Sequence, residues 1–155
     1  MTVYFVCIGN TCRSPMAAAI FNQIARKRGI EGVRADSFGI VPFYGDSDDV
    51  RQLRESAVCE VMGGVDGLSN HRPKGIEGIV FKEGDRIVLL DSGKAEEFIA
   101  GISKNLSFRG KQFHMLVMET EDPFGGSVGD YIDCCLFLKE GIEETMGTLL
   151  RISCS

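Results

Sequence analysis

No apolar run in this 155-residue chain is long enough to cross a bilayer. The run nearest the start, Val3 to Ile8, is too short for the core of a secretion signal and has no basic segment ahead of it. A cytoplasmic protein is therefore expected. Positive charge is scarce as well. A net charge of −5 excludes the broad basic field that a nucleic acid or an anionic membrane would require of a partner, although local positive sites stay open. Repeats, low-complexity tracts and linkers are all missing, so residues 1–155 are expected to form one domain. That length buries a sufficient core without metal or disulfide. No group of histidines and cysteines has metal-ligand spacing, and neither a metal nor a cofactor is expected. The six cysteines sit in a chain that is 44% hydrophobic, too long and aliphatic to need a disulfide scaffold, and are read as reduced thiols.

What the chain does have is alternation. Val3 to Val6, Val33 to Phe38, Arg86 to Leu90 and Gln112 to Met118 read as strands. Pro15 through Ile24 to the basic residues before Gly29, Asp49 to Met62, Lys94 to Ile102 and Val128 to Ile152 read as helices. Ser14 is expected as the N-cap of the first helix, with Pro15 in its first position and Gly29 closing it. The second helix is expected to bury Val50, Leu53, Ala57 and Val61. The last is expected to bury Tyr131, Cys135, Leu138, Ile142, Met146 and Leu149. Strands alternating with helices predict an α/β fold with a parallel sheet covered on both faces, and ligands at the carboxyl ends of its strands.

The first such end reads CIGNTCRSP, residues 7–15. A loop between a strand end and a helix N-terminus offers unpaired backbone N–H groups and the positive end of a helix dipole. The amides from Ile8 through Gly9, Asn10, Thr11, Cys12 and Arg13 to Ser14 can curl around a tetrahedral oxyanion, and phosphate is the expected guest. Cys7, at the base of the loop, lies where amides, dipole and a guanidinium all favour a thiolate nucleophile. Arg13 can grip two phosphate oxygens with its planar fork. Ser14 can hydrogen-bond the sulfur and ease its departure.

With that string, the chain resembles the low-molecular-weight protein-tyrosine-phosphatase family over nearly its whole length, and the likeness returns at SFGI (37–40), LSNHRP (68–73), LLD (89–91) and EDPFGG (121–126). The resemblance implies a flavodoxin-like four-stranded parallel sheet, a phosphocysteine intermediate and phosphorylated proteins as substrates. It assigns the general acid, and later the base, to Asp122 of the Asp-Pro pair, and supporting roles to Asn10 and His71. It implies for Cys12 a disulfide with Cys7 under peroxide. Thr11, and Phe124-Gly125 after the Asp-Pro pair, resemble the protein-arginine-phosphatase branch, whereas the usual tyrosine-specific members have an aliphatic residue and tyrosines there. Thr11, Phe43 and Phe124 are the expected specificity residues, and phosphotyrosine and phosphoarginine both remain open. A thioredoxin-coupled arsenate reductase of the same fold is the rival. It would need a cysteine pair after the third strand, where this chain reads LLDSGKAEEF.

Overall fold

The computed structural model describes residues 1–43, 46–65 and 67–151. Four strands, β1 (Thr2–Cys7), β2 (Arg34–Gly39), β3 (Arg86–Leu89) and β4 (His114–Val117), form one sheet in the order β2-β1-β3-β4. Every neighbouring pair is parallel. The helices are α1 (Arg13–Lys27), α2 (Asp48–Met62), α3 (Ala95–Ile102) and α4 (Val128–Arg151), so the expected architecture and element order are found. The sequence reading carried the last helix to Ile152, which lies outside the described residues. Among the described residues no helix is long and apolar enough to cross a membrane.

The two faces of the sheet follow from the period of two along β1. Val3, Phe5 and Cys7 belong to the core built with α1, α2 and α4. Tyr4 and Val6 belong to a second core with Phe38, Ile87, Leu89, Phe81, Phe98 and Phe108. The stripe expected on α4 is the one buried, from Tyr131 through Cys135, Leu138, Ile142 and Met146 to Leu149. Cys134 beside it is buried as well.

Two local expectations are corrected. First, α1 begins at Arg13, with Cys12 in the N-cap position and no side-chain cap. Ser14 does not cap, because its oxygen is engaged by Cys7 and Asn10. Pro15 becomes the third helical residue, where its missing N–H still costs nothing because the first turn has no intrahelical acceptor. Second, the buried face of α2 is Arg54, Ala57, Val58 and Met62, with Val50, Leu53 and Val61 only packed against the core from its margin. An arginine occupies the middle of that face, which a reading of apolar period does not allow for.

Topology aligns the three strand ends that matter. Beyond the strands proper, Leu90 donates to the Val6 carbonyl at 2.8 Å, Met118 to Leu89 at 2.8 Å and Thr120 to Leu90 at 3.0 Å. The residues following β1, β3 and β4 therefore leave the sheet side by side. The chain departs from the central β1 and β3 toward opposite edges, which opens a crevice at their carboxyl ends.

Candidate active site

The loop after β1 is held by its carbonyls. Ile40 N–H donates to the Cys7 carbonyl at 3.0 Å, Val41 to Ile8 at 2.9 Å, Phe43 to Gly9 at 2.9 Å and Met16 to Cys12 at 3.2 Å. Side chains hold the other two: His71 Nε2 donates to the Asn10 carbonyl at 2.7 Å and Arg54 Nη1 to the Thr11 carbonyl at 2.9 Å. In a trans peptide the C=O of one residue and the N–H of the next point in opposite directions. Anchoring the carbonyls of residues 7–12 on the outside turns the N–H groups of Ile8, Gly9, Asn10, Thr11, Cys12 and Arg13 to the inside. The curl requires one left-handed residue, Asn10 at φ 58°, and asparagine tolerates that conformation better than most side chains.

Asn10 also supplies the loop's inner bracing. Its side-chain Nδ2 donates to Ser14 Oγ at 2.8 Å and to Ser37 Oγ at 3.0 Å, and its side-chain Oδ1 accepts from Lys74 N–H at 2.9 Å. Ser14 Oγ lies 2.9 Å from Cys7 Sγ. With a lone pair occupied by Asn10, Ser14 has its own proton left for the sulfur. The end of β2 presses close behind: a Cβ on Gly39 would stand 2.8 Å from the Ile8 carbonyl oxygen and 3.0 Å from Asn10 Cβ. Only glycine fits there without moving the loop.

Arg13 is buried at the opening of α1. Its Nη1 donates to the Thr120 carbonyl at 3.0 Å and to Asp91 Oδ2 at 3.4 Å, and its Nη2 lies 3.6 Å from Asp122 Oδ2. The ends of β3 and β4 thus aim the guanidinium. Asp122 leaves 49% of its side chain exposed and turns its other oxygen to Phe124 N–H at 3.1 Å. Glu119 ties the same loop to the end of β3 by accepting from Ser92 N–H at 2.8 Å. Phe43 and Phe124, both about half exposed, meet edge to face with ring centroids 5.8 Å apart. They form one aromatic wall from two loops.

The remaining residues read from the sequence fall as follows. Thr11 is buried, and its Oγ1 and Phe43 Cβ both stand 3.4 Å from where a Cβ on Gly9 would be. Cys12 Sγ lies 3.3 Å from Tyr131 Oη, and burial pushes its thiol up to about 11, so it stands as a neutral thiol at physiological pH. Cys134 and Cys135 are pushed by burial to about 12, and Cys59 is exposed.

His71 carries a testable pH dependence. Burial, assisted by the Arg54 charge, lowers it from 6.5 to about 4. The imidazole is therefore neutral, and its Nε2 must carry the proton because the Asn10 carbonyl can only accept. Since the unfolded chain binds this proton first as pH falls, the stability His71 contributes is complete above about 6.5 and is lost on descending to about 4. In His71→Gln, urea unfolding between those pH values is expected to show a shallower decline of stability than in wild type. An unchanged slope would remove His71 as its source.

Sequence reasoning did not single out Asp91, Ser37, Thr120, Arg54 or Asp46, whose carboxylate pairs with Arg54 at 3.0 Å. Asp91 and Ser37 lie in the LLD and SFGI segments, which carried a signal of likeness but no role. Arg54, Asp46 and the Thr120 carbonyl carried none.

Comparisons with known proteins bear on the family and the fold. A 41-residue stretch is 61% identical to low molecular weight protein-tyrosine-phosphatase YfkJ of Bacillus subtilis, and it spans 26% of each chain, about a quarter of that relative's length. The match to the protein-arginine-phosphatase of the same organism is 31% over 157 residues, covering 97% of this chain and 95% of the relative. Among solved structures the YwlE arginine phosphatase superposes with a TM-score of 0.74 at 24% identity, over 99% of this chain and 98% of that one, which bears on the fold alone. The family described as low molecular weight phosphotyrosine protein phosphatase matches residues 2–152, and the chain belongs to it.

Proposed function

We propose that the protein is a cysteine-dependent phosphatase that hydrolyses phosphoarginine in proteins. The observation that carries the phosphatase reading is the loop whose carbonyls are all held outside, with Cys7 Sγ at its base and both Arg13 and Asp122 at its rim. Cys7 attacks phosphorus, forming an S–P bond as the bond to the leaving group breaks. The loop amides and Arg13 hold the three equatorial oxygens. Asp122 gives its proton to the leaving group and then, as the carboxylate, takes one from the water that hydrolyses the phosphocysteine. Ser14 steadies the departing sulfur. Under peroxide, a sulfenic acid on Cys7 condenses with the Cys12 thiol, losing water and leaving a disulfide that shields the nucleophile. Recovery of activity in Cys12→Ser after peroxide, if equal to wild type, would remove that role.

The preference for phosphoarginine draws support from Thr11 and from the full-length likeness to an arginine phosphatase. A hydroxyl at this position of the loop can accept a hydrogen bond from a guanidinium, where an aliphatic side chain would pack a phenol ring instead. Phosphotyrosine is the second reading, favoured by the aromatic wall of Phe43 and Phe124, which accommodates a phenol as well as a stacked guanidinium. The deciding measurement is the ratio of kcat/KM for phosphoarginine and phosphotyrosine peptides in the wild type and in Thr11→Ile. The ratio is expected to favour phosphoarginine in the wild type and to fall on the order of tenfold in the variant. A wild type that favours phosphotyrosine, with the ratio unmoved by Thr11→Ile, refutes both the preference and the role of Thr11.

A further inference from the structure

Arg54 has no part in the chemistry above, yet it is a fully buried cation, 0% exposed, directly behind the phosphate loop. Its Nη1 alone serves three acceptors: the Thr11 carbonyl at 2.9 Å and both oxygens of Asp46 at 3.0 Å. Its Nε and Nη2 make no hydrogen bond among the described residues. A buried ion pair that leaves donors unspent is a poor device for stability, because well-packed apolar groups in the same space do as well or better. The contact that a hydrophobic residue could not supply is the one to the Thr11 carbonyl.

That carbonyl belongs to the peptide whose N–H is that of Cys12. Four of the loop's carbonyls are held by backbone donors, from Ile40, Val41, Phe43 and Met16. The Asn10 and Thr11 carbonyls depend on side chains. Of those two side chains, Arg54 is the one held in turn by a carboxylate, Asp46, only 2% exposed in its side chain, which a second arginine, Arg51, also reaches at 3.2 Å.

We propose that Arg54, oriented by Asp46, is a positioning residue for the phosphate loop: its hydrogen bond to the Thr11 carbonyl aims the Cys12 N–H at the phosphoryl oxygens. This rests on the reading of the loop as a phosphate cradle. Without Arg54 the Thr11–Cys12 peptide is free to rotate, and the cradle loses one of its inward donors while Cys7, Arg13 and Asp122 stay where they are. Arg51 remains as the counter-charge of Asp46, so the substitution does not strand a buried carboxylate.

The test is a titration with inorganic phosphate followed by amide NMR in wild type, Arg54→Met, Arg54→Lys and Asp46→Asn, with kinetics on p-nitrophenyl phosphate. In the wild type the amide protons from Ile8 to Arg13 are expected to move downfield together. In Arg54→Met the Cys12 response is lost while those of Ile8 and Gly9 persist, inhibition by phosphate weakens on the order of tenfold, and kcat falls more than KM rises. Arg54→Lys, which keeps a charged donor, recovers part of the Cys12 response. Should Arg54→Met fail to fold, Asp46→Asn gives the same pattern in smaller measure. A wild-type Cys12 response with unchanged phosphate inhibition in folded Arg54→Met, or in Asp46→Asn where that variant must stand in, overturns the role of Arg54 alone. Loop amides that ignore phosphate in the wild type overturn the cradle itself.

Discussion

Cys7→Ser and Arg13→Ala are each expected to turn over aryl phosphate at less than about a thousandth of the wild-type rate, with thermal unfolding close to that of the parent. The two losses have different causes. A serine hydroxyl at position 7 keeps the contact with Ser14 Oγ but offers no thiolate, so the S–P bond cannot form. Arg13→Ala keeps the sulfur and removes the guanidinium that, in the proposed mechanism, faces the equatorial oxygens, where charge is most concentrated in the transition state. Neither change should unfold the chain. Cys7 lies at the end of a strand whose core is carried by Val3, Phe5 and Val6, and the partners that Arg13 leaves behind are a main-chain carbonyl and a pair of acids within reach of water. Binding should separate the two variants. Cys7→Ser still holds inorganic phosphate, because amides and guanidinium are intact, whereas Arg13→Ala does not. Turnover surviving in Cys7→Ser, or activity that a chelator abolishes in the wild type, would end the cysteine mechanism.

Arg13 and Arg54 mark where the sequence was legible and where it was not. Arg13 follows the first thiol by six positions inside a loop bounded by a strand and a helix, so its chemistry is local and could be read from spacing. The sheet was legible for a similar reason: the β-branched and aromatic run of Val3 to Val6 and the alternation of strands with helices are local patterns, whereas the face each residue of that run takes is fixed only by packing. Arg54 is the opposite case. In a helical stripe an arginine is taken for the solvent side, because burying a charge is costly unless it is paired. Its partner Asp46 lies eight residues earlier, in a loop without regular period. That error rotated the expected face of α2 about Ala57, the one expected residue that is fully buried. Ser14 was misread by the same logic: serine before proline at a helix start is the common sign of an N-cap, but here the sulfur of Cys7 and the amide of Asn10 compete for its oxygen. Asp91 and the Thr120 carbonyl reach Arg13 only because β3 and β4 follow β1 in the sheet, a relation between distant segments that no local pattern contains.

Asp122→Asn is expected to slow turnover on the order of a hundredfold or more when the leaving group is strongly basic, and by less than about tenfold when it is an activated phenol. The substitution isolates the proton. An asparagine can present its carbonyl oxygen to Phe124 N–H as Asp122 Oδ1 does now at 3.1 Å, so the turn before Pro123 keeps its shape. The contact with Arg13 Nη2 is long, 3.6 Å, and half exposed to solvent, so losing its charge disturbs the guanidinium little. Arg13 retains Thr120 and Asp91. What the amide cannot do is give up a proton as the P–O or P–N bond breaks. p-Nitrophenolate leaves unaided at neutral pH, an alkoxide does not, and the nitrogen of phosphoarginine leaves only as the protonated guanidine. The loss should therefore grow steadily with the basicity of the leaving group across a series of aryl phosphates and be largest for phosphoarginine peptides. The base role in the second step has its own mark. Where hydrolysis of the phosphocysteine limits the rate, the variant accumulates that intermediate, and rapid quenching with p-nitrophenyl phosphate should show a burst of phenol followed by a slower steady state. A loss equal across all leaving groups, with no burst, would make Asp122 a residue that shapes the loop rather than one that moves the proton.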